Sequence, residues 1–196
     1  MCTFKNESED VAKYGIIFDL IEVVLVRAPA QVNAVLTEID QICGIAHNDD
    51  EFIRIVKDKF DYDAGQISQT LEDIISLYIP NEEILNVARN IKRCHKTALM
   101  NNGISFTFKK WVEKYRLQNF FNVLYNSAID GFRKPDVNAY KKISEMLKIS
   151  LCRCILIDDK IENVIAASNA GMQAIYYNHK ADVSNKLSEI IRRGQP

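Results

Sequence analysis

Residues 14–25 read YGIIFDLIEVVL, an apolar, β-rich run in which Asp19 is the first charged position. A run of this kind is typical of a strand buried on both faces of a parallel sheet. Four later runs have the same character, with helical patterns between them, and they span residues 97–100, 121–125, 154–157 and 173–177. Strands that alternate with helices along the chain predict the α/β class, with a doubly wound parallel sheet.

The stretch between residues 29 and 94 has a different period. Its apolar side chains recur every three or four positions, which indicates amphipathic helices. Turn-forming residues at 48–50, 61–65 and 80–81 separate four such helices. The pattern therefore predicts an all-helical segment inserted after the first strand.

These patterns divide the chain into three parts. Residues 14–26 and 95–196 are expected to form the core domain around the sheet. Residues 27–94 are expected to form the helical insertion over one end of that sheet. Residues 1–13 are polar, without the apolar stretch of a signal peptide, and predict a flexible arm.

Composition narrows the classes of function. The chain of 196 residues is 47% hydrophobic and 26% charged, which suits a folded domain with a real core. Its 25 basic and 26 acidic residues give a net charge of −1, so neither a nucleic acid nor an anionic membrane is expected as a partner. Its five cysteines are scattered along the chain, which predicts a cytoplasmic protein without a disulfide framework.

Acidic residues stand where two of the predicted strands end. Asp19 closes the first strand, and Asp158 and Asp159 follow the fourth. Ligand sites in such sheets lie at the carboxyl ends of the strands, where Lys134 from a nearby loop can join them. Clustered carboxylates repel one another unless a cation lies among them, and Mg²⁺ is the natural occupant of an all-oxygen site.

These residues also form a recognisable pattern. Phe18-Asp19-Leu20 at the first strand, GFRKP at 131–135 and IDDKIENVIAASNAGM at 157–172 resemble, in order and spacing, the motifs of haloacid dehalogenase-like (HAD) hydrolases. The resemblance covers nearly the whole chain. It implies a Rossmann-like core, with the helical insertion as the small cap that many members carry between their first and second motifs.

The resemblance implies phosphoryl transfer through an aspartyl-phosphate. Asp19 would be the nucleophile, and Lys134 would hold the carboxylate and phosphoryl oxygens together. Asn101 and Asn102, after the second strand, would contact the phosphate or the rest of the substrate. Positioning and charge neutralisation carry most of the catalysis in such reactions.

The resemblance also implies a set of Mg²⁺ ligands. These would be the Asp19 side chain, the backbone carbonyl of Ile21, and one or both of Asp158 and Asp159. The family more often uses the second residue of that acidic pair directly. Asn163 matches a position that usually supports the metal loop.

Two departures make the first and second motifs degenerate. Ile21 stands where phosphatases of the family usually carry the acid–base aspartate, and Met100 aligns with the usual Ser or Thr of the second motif. A general acid–base is typically worth about 10²–10⁴ in rate. Candidate substitutes are Glu22 for the acid, if the chain bends there, and Asn101 or Ser105 for the hydroxyl donor.

Three functions follow from this pattern. The first is a Mg²⁺-dependent phosphatase acting on a small phosphorylated metabolite. The second is a catalytically impaired HAD-fold binding or regulatory module, which Ile21 and Met100 would favour. The third is a 2-haloacid dehalogenase, against which the intact Asp158-Asp159 pair argues. An exposed apolar stripe on the insertion could serve a homodimer.

Overall fold

The computed structural model describes residues 14–29, 33–179 and 181–193. The predicted arm, residues 1–13, lies outside the described residues. In chain order the strands are β1 (Gly15–Asp19), β2 (Leu25–Arg27), β3 (Tyr78–Pro80), β4 (Lys96–Asn101), β5 (Val123–Asn126), β6 (Cys154–Asp158) and β7 (Gln173–Tyr176). The helices are α1 (Ala34–Ile45), α2 (Asp49–Phe60), α3 (Ala64–Ser76), α4 (Glu82–Ile91), α5 (Ser105–Lys114), α6 (Ser127–Asp130), α7 (Val137–Leu147), α8 (Ile161–Asn169) and α9 (Val183–Arg193).

Five parallel strands form the central sheet, in the order β5-β4-β1-β6-β7. The predicted doubly wound α/β architecture is confirmed. Strand β1 lies in the middle, so its carboxyl end is flanked by those of β4 and β6. This order brings the three predicted strand-end motifs to one edge of the sheet.

Alternating side chains of the strands pack on opposite faces of the sheet. Ile16 and Phe18 belong to a cluster shared with α5, α9 and the insertion, including α4. Ile17 belongs to the other cluster, together with Tyr140 of α7 and Ala167 of α8. The period of two along each strand therefore fixes which residues face the insertion.

The insertion holds the four predicted helices, but it is not all-helical. Strands β2 and β3 pair antiparallel as a short ribbon, with Arg27 opposite Tyr78. Each strand has only three residues, too few to impose a period of two on the sequence. Asn81, after the ribbon, donates from its backbone to Val24 O at 2.9 Å and from its side chain to Val23 O at 3.0 Å.

The insertion is tied to the core at the start of α5. Cys43 O, near the end of α1, accepts a hydrogen bond from Ile104 N at 3.1 Å. Asp49 of α2 accepts from Ser105 N at 2.8 Å and so caps the first turn of α5. Gly103 lies between these contacts with φ +146°, and a Cβ there would come within 2.9 Å of Cys43 O.

Among the described residues, no helix combines the length and the apolar character needed to cross a membrane.

We predict that Gly103→Ala destabilises the fold by about 1–3 kcal/mol, because it adds backbone strain and a contact with a backbone oxygen that cannot move away. Urea denaturation measures the change. Gly44→Ala is the matched control: Gly44 lies in α1, a Cβ there meets nothing within 4 Å, and alanine favours the helix by up to about 1 kcal/mol. Equal effects of the two substitutions would contradict this account of the close approach.

Candidate active site

Lys134 is buried between two carboxylates. Its Nζ donates to Asp19 Oδ1 at 2.5 Å and to Asp158 Oδ2 at 2.6 Å, and its side chain is only 2% exposed. Burial alone would lower the pKa of Lys134, but Asp19 and Asp158 outweigh it and raise that pKa above its usual value. The lysine therefore stays charged and holds the ends of β1 and β6 together.

The backbone of Lys134 is held by Asn102. Asn102 Nδ2 donates to Lys134 O at 2.7 Å, and Lys134 N donates to Asn102 Oδ1 at 2.9 Å. Asn102 was predicted among the phosphate- or substrate-binding residues. It lines the cavity at the strand ends, so that role stays a prediction, and its amide pairs with the backbone of the lysine loop and so positions Lys134.

Asp158 is hydrogen-bonded on both oxygens. Oδ2 accepts from Lys134, while Oδ1 accepts from Lys160 N and from Asn163 Nδ2, both at 2.9 Å. Tyr140 Oη in turn donates to Asn163 O at 3.0 Å. Asn163 of α8 thus orients Asp158 at the end of β6, and its support of a metal loop stays a prediction.

Asp19, Asp158 and Asp159 form a carboxylate cluster, with one oxygen of each within 4.8 Å of the others. Burial, opposed in part by Lys134, raises the pKa of Asp19 to about 8. Burial and the Asp158 charge also raise the pKa of Asp159. One lysine thus faces three carboxyl groups, and further positive charge is needed to keep all three ionised at neutral pH.

The chemistry of this cluster fits Mg²⁺. All of its donors are oxygens, as this ion prefers. Asp159 Oδ1 is buried without a hydrogen-bond partner among the described residues, whereas both oxygens of Asp158 are engaged. An incoming cation would satisfy the Asp159 oxygen and lower the pKa of Asp19. Asp159 is therefore better placed than Asp158 to bind the ion directly.

Asn101, not Met100, faces the site from β4. Met100 packs with Ala98 in the apolar cluster on the α7 side of the sheet. Asn101 is 3% exposed and lines the cavity at the strand end, and its side chain makes no hydrogen bond to another described residue. The expectation that Met100 places an apolar group at the phosphoryl position is wrong. The alignment of the second motif is displaced by one residue, and an amide stands at the site.

Ser105 does not reach the site. Its hydroxyl donates to Asp49 Oδ2 at 2.5 Å, so it helps to join the insertion to α5. The proposal of Ser105 as a substitute phosphate donor is therefore wrong. A hydroxyl group at the start of a helix readily donates to a carboxylate that caps the helix. Sequence spacing does not show that such a carboxylate competes with the phosphate for the hydroxyl.

The turn after β1 brings two residues to the site. Ile21 is half-buried and lines the cavity, so an apolar side chain occupies the wall at this point. Glu22 has φ +64°, and the chain bends there, as its candidacy required. Glu22 also lines the cavity, and burial raises the pKa of its carboxyl group.

A cavity of about 560 Å³ lies between the strand ends and the insertion. Asp19, Lys134, Asn101 and Asp159 line its core side. The volume is in the range of small-molecule sites, which is about 300–1,000 Å³. The site can therefore hold a small molecule with one end against Asp19 and Lys134.

The lysine loop also contacts the insertion directly. Arg133 Nη1 donates to Ile45 O at 2.6 Å, and Arg133 Nη2 donates to Gly44 O. These carbonyls end α1, where a cation is favoured by the helix dipole. The position of the insertion is thereby linked to the residue next to Lys134.

On its insertion side the cavity is lined by Arg27, Asp40 and Tyr78. No motif in the sequence marks these three residues, and none of them was predicted to lie at the site. They lie on β2, α1 and β3, far apart in the chain, and only the packing of the ribbon against α1 brings them together. The adjacent Thr107 of α5 was missed for the same reason.

A parallel sheet with paired carboxylates and a buried lysine at its strand ends defines a Rossmann-like hydrolase core. A family model described as haloacid dehalogenase-like hydrolase matches residues 45–171. The chain belongs to this family, as the resemblance of its motifs predicted.

Two curated relatives are phosphatases by name. Sesquiterpene phosphatase astK of Aspergillus oryzae is 25% identical over 128 residues, which make up 65% of this chain and 65% of that protein. Glyceraldehyde 3-phosphate phosphatase of Methanothermobacter thermautotrophicus is 30% identical over 87 residues, or 43% of this chain and 38% of that protein. The chain thus spans less than two thirds of the length of these relatives.

A solved structure has the same fold. It is a HAD family enzyme of Bacteroides thetaiotaomicron in complex with magnesium and inorganic phosphate, at TM-score 0.71 and 18% identity. The similarity covers 89% of this chain and 98% of that one.

We predict that Lys134→Met lowers the free energy of unfolding by about 3–5 kcal/mol at pH 8 without divalent cations, because it leaves buried carboxylates without their cation. Urea denaturation measures the change. Lys142→Met, at an exposed position of α7, is the control and should stay within about 0.5 kcal/mol of the parent. A loss below about 1 kcal/mol in Lys134→Met would show that the lysine does not compensate the cluster.

Proposed function

We propose that this chain is a Mg²⁺-dependent hydrolase of phosphate monoesters, acting on a small phosphorylated metabolite with Asp19 as its nucleophile. The observation that carries the proposal is the buried Lys134, which bridges Asp19 and Asp158 beside the unpartnered oxygen of Asp159. A phosphate dianion is attracted to such a site only when the carboxylate charge is compensated. Asp19, Asp159 and the carbonyl of Ile21 are the groups proposed to hold the ion.

In the proposed reaction, a carboxylate oxygen of Asp19 bonds to phosphorus as the ester oxygen leaves with its electron pair. Bound Mg²⁺ would supply charge neutralisation for the phosphoryl oxygens. Lys134 holds the Asp19 carboxylate in position and lowers its repulsion with the phosphate. Asn101 can donate to a phosphoryl oxygen from its unpartnered amide. Water then hydrolyses the aspartyl-phosphate, so that ester and water yield alcohol and phosphate.

Ile21 can neither protonate the leaving oxygen nor activate water. The proton must come from Glu22, which also lines the cavity, or from solvent, so the rate should depend strongly on how readily the alcohol leaves. This residue supports the second candidate function, a binding or regulatory module that retains the ion without turnover. The buried acidic cluster argues against a dehalogenase, for which we expect no metal site.

We expect hydrolysis of p-nitrophenyl phosphate that requires both Mg²⁺ and Asp19, because this ester needs little protonation of its leaving group. Asp19→Asn should reduce the rate to background, since the amide is not a nucleophile. Release of p-nitrophenol with and without Mg²⁺ measures both requirements. Turnover by the Asp19→Asn variant would show that Asp19 is not the nucleophile. Absence of turnover, with Mg²⁺ still raising the melting temperature of the parent but not of Asp159→Asn, would favour the binding module.

We expect Asn101→Ala to lower kcat/KM for the same ester by roughly 10²–10³, because it removes a donor to the transferring phosphoryl group. Met100→Leu is the matched control on the same strand, since it changes only an apolar contact on the far face of the sheet. Steady-state kinetics of the two variants decide the point. A larger loss of kcat/KM in Met100→Leu than in Asn101→Ala would show that Met100 occupies the second-motif position.

A further inference from the structure

Three charged or polar side chains meet on the insertion side of the cavity. Tyr78 Oη donates to Asp40 Oδ2 at 2.8 Å. Arg27 Nη1 lies 3.6 Å from the same oxygen, which makes an ion pair but is too long for a hydrogen bond. Pairing of β2 with β3 sets Arg27 directly opposite Tyr78, and α1 brings Asp40 to both.

Contacts with Trp111 and Tyr115 hold Tyr78 in place. The Tyr78 ring makes an edge contact with Trp111, with centroids 5.4 Å apart. Tyr78 O accepts from Tyr115 Oη at 2.6 Å, and Trp111 Nε1 donates to Ile75 O at 3.2 Å. The polar atoms therefore face the cavity from a fixed wall.

Several of these polar groups retain hydrogen-bonding capacity. The Arg27 guanidinium makes no hydrogen bond to another described residue, and Asp40 accepts only the one from Tyr78. Thr107 is 2% exposed and lines the same cavity, and its hydroxyl also has no hydrogen-bond partner among the described residues. Arg27, Asp40 and Thr107 together thus offer both hydrogen-bond donors and acceptors to a ligand in the cavity.

The charge of this wall decides between ligand classes. Arg27 and Asp40 sum to zero, and Glu22, which lines the cavity near Arg27, adds negative charge, so a second anionic group would be repelled. A hydrocarbon tail would desolvate the pair without offering it a partner, and this is costly. Tyr78 and Trp111 are 5% and 3% exposed, which leaves little ring surface for stacking a flat base. A hydroxyl group both donates and accepts, and it satisfies Asp40, Arg27 and Thr107 alike.

We propose that Arg27, Asp40, Tyr78 and Thr107 form a subsite for hydroxyl groups, and that the substrate is the phosphate monoester of a polyol or sugar. The assignment rests on the proposed function, because it places the phosphate at Asp19 and the rest of the molecule against the insertion. It distinguishes this chain from a hydrolase of prenyl phosphates, whose apolar tails would lie against the ion pair.

The test compares two esters that differ only in their hydroxyl groups and ring. Ribose 5-phosphate and n-pentyl phosphate share the phosphate and the five carbons. Binding is measured by calorimetry with Mg²⁺ in the Asp19→Asn variant, so that neither ester is consumed. Ribose 5-phosphate should bind at least about tenfold more tightly, because hydrogen bonds to charged groups are lost with the alkyl ester.

Asp40→Asn in the same background should reduce that preference by about tenfold, since the amide replaces one charged acceptor with a donor. It keeps an oxygen for Tyr78 Oη, and a melting curve verifies folding. Glu38→Gln makes the same chemical change on the exposed face of α1 and should leave the preference unaltered. If Asp40→Asn does not fold, Arg27→Gln must show the reduced preference instead.

Equal or tighter binding of the pentyl ester, or a preference that survives both Asp40→Asn and Arg27→Gln, would overturn the subsite. Turnover of p-nitrophenyl phosphate by the parent reports separately on the proposed function. If the parent protein is inactive but still prefers ribose 5-phosphate, the subsite is supported and only the proposed hydrolase activity is refuted. If the parent is active but shows no preference, the hydrolase activity is supported and the subsite is refuted.

Discussion

The buried ammonium of Lys134 is the interaction on which the rest of the site depends. It compensates Asp19 and Asp158 in a setting where water cannot, and it joins a loop to the ends of two strands. Desolvation makes such a group costly unless its partners are close and well oriented. The Asn102 pair on its backbone and the Asn163 bond to Asp158 supply that orientation.

Lys134 compensates only part of the negative charge at the site. One lysine against three carboxyl groups cannot attract a phosphate dianion unaided. The unpartnered oxygen of Asp159 marks where compensation is missing. Charge balance therefore links the fit of Mg²⁺ to the proposed substrate, because a phosphate dianion that bound without the ion would meet uncompensated carboxylates. The central position of β1 contributes to this concentration of charge, because it sets the acidic end of β6 beside Asp19.

The sequence predicted the core well and the connections between its parts less well. Apolar runs located all five strands of the central sheet within a few residues, because burial on both faces leaves a strong pattern. Strand order has no comparable signature. The β2–β3 ribbon was missed because three-residue strands carry no period. Met100 was mistaken for the site-facing residue because the side of a strand depends on its exact frame, which one residue reverses. Ser105 was misassigned because Asp49, distant in the chain, accepts the hydrogen bond of its hydroxyl.

Ile21 places an apolar side chain beside Asp19, at the position where a general acid is expected. The turn that bends the backbone at Glu22 also sets Ile21 into the cavity wall, where it offers no proton. A missing general acid raises the barrier most for alcohols that leave poorly, by about 3–5 kcal/mol if the whole of its usual contribution is lost. In the proposed site, binding of the hydroxyl groups beyond the ester would offset part of that loss, because it would hold phosphorus in line with Asp19 at no further entropic cost. A polar wall on the insertion is thus a physical complement to an apolar residue beside the nucleophile.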